Sequence, residues 1–231
     1  MSVNVGECRC FGGRGVPTSG PLPERPLPER PGLRARRNLL RGLGAAAAMA
    51  AVPLPLAAVR AEDADAAWTA LAGNGAVALV RHAMAPGPQP DPPGFRIEDC
   101  ATQRNLSAEG RAQAVKLGEI WRVKGAKAGK VMSSPWCRCR DTAKLMGFEN
   151  VEIDDALWNL LQRPPDRDAK VELLQALIRN WRGPGALVLV THGITMRALG
   201  LADPGEAGIA VAMPDRWHGR GWVTVGSIPP P

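Results

Sequence analysis

Two short apolar runs in this chain each break off at a histidine. Ala76-Val-Ala-Leu-Val80 stops at Arg81-His82, and Ala186-Leu-Val-Leu-Val190 stops at Thr191-His192-Gly193. Runs of this length, bounded by polar residues, read as strands buried on both faces. Such strands belong to parallel sheets covered by helices on either side.

The stretches between them fit that plan. Ser107 is a good N-cap for a helix running to about Gly125, with Glu109 in its positive first turn and Ala112, Val115, Leu117 and Ile120 as its apolar positions. Val131 to Ser134 reads as a strand stopped by Pro135, followed by a helix from Cys137 to Met146 that closes at Gly147. Val151 to Ile153 is a minor strand, Ala169 to Trp181 an amphipathic helix and Thr195 to Leu201 a short one. Gly208 to Met213 and Gly221 to Gly226 are closing strands, while Pro86 to Gly94 is too rich in proline and glycine to be regular. The expected fold is α/β: a three-layer sandwich with a mostly parallel central sheet and helices on both faces. Ligands in such sheets sit beyond the carboxyl ends of the strands. That edge is where His82, His192 and the Arg138 region fall.

The formal charge of +7 at first suggests an anionic partner. Its distribution says otherwise. Residues 1–61 hold nine Arg and three Glu, which leaves 20 Lys+Arg against 19 Asp+Glu in residues 62–231. Tyrosine is absent and phenylalanine numbers only three, so the body lacks the basic and aromatic interleaving of a nucleic-acid groove. The first 33 residues are rich in Pro, Gly and Arg, with Pro21-Leu-Pro-Glu-Arg25 repeated as Pro26-Leu-Pro-Glu-Arg30. Arg36-Arg37 then precede 17 uncharged residues, Gly42 to Ala58, and Val59-Arg60-Ala61 offers a small-residue cleavage site. A basic region, an apolar run and a small residue make an export signal, here of twin-arginine type. Residues 1–61 are therefore expected to be a disordered leader plus signal peptide, and residues 62–231 an exported, periplasmic or secreted domain. No nucleic acid and no stable membrane insertion after cleavage are expected.

Export gives the cysteines a meaning. Residues 62–231 keep Cys100, Cys137 and Cys139, an odd number in an oxidising compartment. One expected pairing is Cys100 with either Cys137 or Cys139. Cys137-x-Cys139 has the wrong spacing for zinc and no nearby histidine partner, so no metal is expected.

Histidine can attack phosphorus and form a phosphohistidine that water later hydrolyses. That chemistry needs cations to hold the phosphoryl oxygens, and arginine forks fit the geometry. Either histidine alone reads as a hydrogen-bonded residue of the fold. Two of them with Arg81 and Arg138 at matching strand ends favour chemistry.

Four segments carry a resemblance to a known family. Val80-Arg81-His82-Ala83 resembles the Arg-His-Gly signature of the histidine phosphatase superfamily, with Ala83 in place of glycine. Asn105-Leu-Ser-Ala-Glu-Gly110-Arg-Ala-Gln-Ala114 is similar to its second motif, and Ser134-Pro-Trp-Cys-Arg138-Cys-Arg-Asp-Thr-Ala143 to its third. Val188-Leu-Val-Thr-His192-Gly193 matches its second-histidine strand, and the four occur in family order. The resemblance, to the phosphoglycerate mutase-like fold, implies that His82 is the nucleophile and that Arg81, Arg138 and His192 clamp the phosphoryl group. It implies no cofactor and a small phosphorylated substrate. Arg140 falls where the family varies and is assigned to solvent or a salt bridge, and His218 to the surface.

One departure bears on mechanism. Members with mutase-like motifs carry a glutamate general acid in a leucine-x-glutamate context, where this chain has Leu157-Trp158-Asn159. Asparagine cannot donate that proton. Glu206 and Asp155 are the replacements considered, with Asp154 beside the latter. The leading expectation is an exported, metal-independent phosphatase. The alternatives are an exported phosphate-ligand-binding or regulatory protein with little turnover, and a phosphomutase, which the missing glutamate and the export signal both weaken.

Overall fold

The computed structural model describes residues 56–231 apart from 162, 163, 216 and 218, and side chains from residue 63 onward, Pro164 excepted. The export signal therefore lies almost wholly outside the described residues, and His218 lies outside them too.

Six strands form one sheet: β1 (Val77–Arg81), β2 (Ala128–Ser133), β3 (Val151–Ile153), β4 (Ala186–Thr191), β5 (Ile209–Pro214) and β6 (Trp222–Ile228). Their spatial order is β3-β2-β4-β1-β5-β6. The first four run parallel, β5 is antiparallel to β1, and β6 is antiparallel to β5. Among the described residues, five α-helices flank the sheet: α1 (Leu56–Ala72), α2 (Ala108–Val123), α3 (Cys137–Leu145), α4 (Arg167–Asn180) and α5 (Gly193–Ala198). None of the described helices is long and apolar enough to cross a membrane. Helix α1 runs unbroken through Ala61, where the leader was expected to end.

Strand alternation divides the core into two layers. Ala78, Val80, Val188 and Val190 face one way, onto Leu71 of α1, Leu117 and Trp121 of α2, and Ala143 of α3. Val77, Leu79, Leu187 and Leu189 face the other way, onto Leu174 and Ile178 of α4 and Met196 of α5. Every residue of β4 is buried. The result is the three-layer α/β sandwich with helices on both faces.

Of the four apolar positions expected to face inward on α2, Leu117 is buried and Ile120 packs against the core, while the other two do neither. Ala112 and Val115 are exposed, and the buried positions are Gly110, Ala114, Leu117, Gly118 and Trp121. Close backbone contact at two glycines sets this face together with the bulk of Leu117 and Trp121. A Cβ on Gly110 would lie 2.1 Å from the carbonyl oxygen of Met84, and one on Gly118 would lie 2.2 Å from that of Met146. Both are far inside van der Waals contact, so glycine is what lets α2 approach the loop after β1 and the end of α3.

Candidate active site

Parallel pairing of β1 with β4, in a register that sets Arg81 opposite Thr191, carries the chain on to two adjacent histidines. His82 N–H donates to the Thr191 carbonyl at 3.0 Å. The two imidazole centroids are 5.3 Å apart with planes at 66°. Both rings are almost completely buried at the carboxyl edge of the sheet. The His82 ring has a defined tautomer. Its Nδ1 lies 2.9 Å from the Ala83 carbonyl oxygen, which can only accept, so Nδ1 carries the proton and Nε2 keeps its lone pair.

Burial holds the His82 imidazole down from its ordinary 6.5 to about 3, and the positive Arg138, Arg81 and Arg104 add to that, against a rise from the Ala83 hydrogen bond. His192 is likewise held well below the usual histidine value, by burial first and then by Arg138. Both rings are therefore neutral at physiological pH, which is the form a nitrogen nucleophile requires.

The backbone just after His82 is clipped from two sides. Ala83 N–H donates to Thr142 Oγ1 at 3.0 Å, and the same hydroxyl donates to the Arg138 carbonyl at 2.7 Å. Met84 N–H donates to Gln113 Oε1 at 3.0 Å, and the Met84 carbonyl accepts from Ser107 N–H at 3.1 Å. Ser107 also caps α2, accepting from Gly110 N–H at 3.0 Å. Ser107, Gly110, Gln113 and Thr142 of the second and third motifs thus hold the segment that carries His82.

A cavity of about 240 Å³ opens on the histidines, and Arg81, Arg104, Arg197, Asn159 and Asp203 are among its other lining residues. Arg81 Nη1 donates to both oxygens of Asp203 at 3.0 Å, and Arg197 pairs with the same carboxylate at 2.5 Å. Arg104 Nη1 donates to the Ala85 carbonyl at 2.7 Å. Arg138 is fully buried and does not line the cavity. Its Nη1 and Nη2 are held by Asp91 at 2.9 and 3.2 Å, and its guanidinium lies 4.6 Å from the centre of the Trp136 ring. The Nε–H groups of Arg81, Arg104 and Arg138 are buried without an acceptor in the protein. Buried donors of that kind call for a partner from outside the protein, a water or an anion.

The remaining sequence candidates divide. Glu206 lies at Arg81, with Oε1 3.7 Å from Nη2 and 3.5 Å from Ala85 N. Asp155 is exposed at the start of a 3-10 turn, Asp155–Leu157, and does not line the cavity. Asp154 caps that turn, accepting from Ala156 N–H at 2.7 Å. Arg140 is exposed. Cys100 and Cys137 form a disulfide, while Cys139 is a buried free thiol whose Sγ is 3.5 Å from His192 Nε2. Burial pushes the Cys139 thiol up to about 12, so it stays a neutral filler beside the second histidine. Ser134 Oγ also meets His192 Nε2, at 3.0 Å.

Sequence reasoning missed Arg104, Asp91, Gln103, Asp203 and Arg197. Only Arg104 and Gln103 carried a signal, since they directly precede the Asn105-Leu106-Ser107 motif.

Residues 77–160 match the sequence model of the histidine phosphatase superfamily, branch 1, and that span includes His82, Arg138 and the clip residues between them. The matched segment, a little over a third of the chain, makes the chain similar to that superfamily.

Solved structures similar to this chain include the SixA protein of Agrobacterium tumefaciens, with 23% identity over 68% of this chain and 99% of that one and a TM-score of 0.49. Another is a protein histidine phosphatase SixA complexed with tungstate, at 17% identity over 67% and 97%, TM-score 0.49. A mycobacterial glucosyl-3-phosphoglycerate phosphatase, Rv2419c, matches at 19% identity over 64% and 96%, TM-score 0.46. No curated protein sequence matches the chain. The family match supports a phosphatase in general, a phosphoric monoester hydrolase.

Proposed function

We propose that this protein is an exported, metal-independent phosphatase that cleaves small phosphomonoesters through a phosphohistidine on His82. The neutral, Nδ1-protonated His82 ring beside His192 is the observation that carries this reading.

In the first step the Nε2 lone pair attacks phosphorus, the bond from phosphorus to the leaving oxygen breaks, and that oxygen departs with the bonding pair. The phosphorylated ring keeps its Nδ1 proton on the Ala83 carbonyl, which offsets the positive charge it gains. In the second step water attacks phosphorus, loses a proton and releases orthophosphate, and His82 returns to its neutral state. Arg81 and Arg104 line the cavity and supply fixed positive charge to the phosphoryl oxygens. Arg138 sits behind them, with its fork on Asp91, and its charge acts on both imidazoles.

Protonation of the leaving group is the weak point of this chemistry. Among the described residues the carboxylate lining the cavity is Asp203, already shared by Arg81 and Arg197. We assign the proton to Glu206, which adjoins Arg81 at the cavity's edge, rather than to Asp155. Leaving groups that depart as stable anions are turned over fastest on this reading. Nine of the chain's arginines lie in residues 1–61, ahead of a body that is nearly neutral, and this pattern supports export and a substrate outside the cytoplasm.

The absence of an acid at Asn159 favours a second reading, a phosphate-ligand-binding protein with little turnover. One assay separates the two. Hydrolysis of an aryl phosphate that resists EDTA and is abolished by His82→Ala supports the enzyme. Tight vanadate binding without hydrolysis supports the binding protein.

A further inference from the structure

The loop between β1 and α2 is fastened to the start of α3 at four places within a few residues of each other. Asp91, buried, accepts from Arg104 N–H at 2.8 Å and from the Arg138 fork. Gln103 accepts from Cys137 N–H at 3.0 Å and donates to the carbonyls of Arg96 and Ile97 at 3.1 and 2.9 Å. Phe95 stacks on Trp136 with centroids 4.6 Å apart. The fourth tie is covalent, the disulfide joining Cys100 to Cys137 across 37 residues of sequence. Arg104 lies four residues beyond the first cysteine and Arg138 one residue beyond the second.

We propose that the Cys100–Cys137 disulfide is a positioning device for Arg104, so that the oxidised protein holds a phosphoryl group tightly and the reduced protein does not. The proposal rests on the reading of the cavity as a phosphoryl site. The three non-covalent ties keep the loop folded when the disulfide is open. They do not fix Arg104 by themselves, because Asp91 and Arg138 grip its backbone while its guanidinium has one anchor, the Ala85 carbonyl, and a buried Nε–H with no protein acceptor. A small shift of residues 100–104 is enough to move that guanidinium away from the phosphoryl oxygens.

Access is one-sided. Cys100 is exposed and Cys137 is buried. A dithiol can therefore attack the Cys100 sulfur as its thiolate, with Cys137 leaving as a thiolate. The second thiolate of the dithiol then displaces Cys100 and closes a cyclic disulfide. Two electrons pass to the protein, two protons follow from solvent, and the products are two cysteine thiols. The buried Cys139 takes no part.

The test is calorimetric binding of inorganic phosphate to the full chain, oxidised and after treatment with a dithiol, with circular dichroism showing that both forms are folded at the assay temperature. The dissociation constant is expected to rise about tenfold or more on reduction, the scale of one lost charge-assisted hydrogen bond. The Cys100→Ser/Cys137→Ser double variant should bind as weakly as the reduced protein. In an Arg104→Ala background, phosphate binding starts weak and the dithiol weakens it no further. Equal phosphate affinity in the folded oxidised and reduced proteins overturns the proposal. So does a full loss on reduction that persists in Arg104→Ala, because the disulfide then acts through something else. Phosphate binding is read without turnover, so a failure of His82 as nucleophile leaves these outcomes interpretable and shows separately in the hydrolysis assay.

Discussion

Asp91 meets Arg138 two oxygens to two nitrogens, at 2.9 and 3.2 Å, with neither side chain open to solvent. A loop with no regular structure thus supplies the counter-ion for the most deeply buried cation at the site. Removing one partner strands a buried charge, at a cost of about 3–5 kcal/mol. Asp91→Ala is expected to lose stability on that scale in urea unfolding, and Asp91→Ala/Arg138→Met to recover part of it. Additive losses in the double variant would show that the pair is not coupled.

His82 makes stability depend on pH. In the folded protein its imidazole takes up a proton only near pH 3, whereas in the unfolded chain it does so near 6.5. Between those values the unfolded chain holds a proton that the folded one lacks, so stability falls as pH falls from about 6.5. His192 acts in the same direction. A series of thermal melts from pH 7.5 to 4 should show a falling midpoint, and His82→Gln should make the fall shallower. An unchanged slope in the variant contradicts the assignment.

The clip behind His82 has a steric test. Gly110→Ala drives a methyl to 2.1 Å from the Met84 carbonyl oxygen, so the loop after His82 or the helix must move. Overpacking of this kind costs about 1–3 kcal/mol. The variant should melt earlier and lose catalytic efficiency. Wild-type kinetics in a folded Gly110→Ala protein would mean that this contact does not position His82.

Leaving groups give a kinetic test of the acid. General acid catalysis typically contributes about 10²–10⁴ in rate. With Glu206 beside Arg81 rather than inside the cavity, Glu206→Gln should slow an alkyl phosphate by about 10², the low end of that range, and barely affect an aryl phosphate. Asp155→Asn should change neither. If Glu206→Gln leaves alkyl phosphate turnover intact, the proton comes from elsewhere.

The sheet was legible in the sequence because its central strands are unbroken apolar runs, and the alignment of His82 with His192 follows from two such strands lying parallel in register. The four motifs were legible as patterns, but the work of Ser107, Gly110, Gln113 and Thr142 was not, because each acts on the backbone of Ala83 or Met84 from a distant part of the chain. The buried face of α2 was read only in part, Leu117 and Ile120 but not Gly110 and Gly118, since periodicity counts large apolar residues and misses two glycines that bring the backbone close. The choice between Cys137 and Cys139 depended on helix geometry. Two residues turn a helix by about 200°, so Cys137 faces the loop and Cys139 faces β4 and His192. Asp91 and Arg104 were hidden because a proline-rich loop has no period from which to read a side chain's direction.

The central claim is that His82 carries the phosphoryl group during turnover. The most direct measurement is a rapid alkaline quench of the protein with an aryl phosphate, a condition under which phosphohistidine survives and acyl phosphates do not, followed by peptide mass spectrometry. One phosphoryl group on the peptide containing His82, formed and lost at the rate of turnover and missing in His82→Ala, is the expected result. Turnover with no phosphorylated His82 at any time point, or phosphate on His192 instead, would contradict the account.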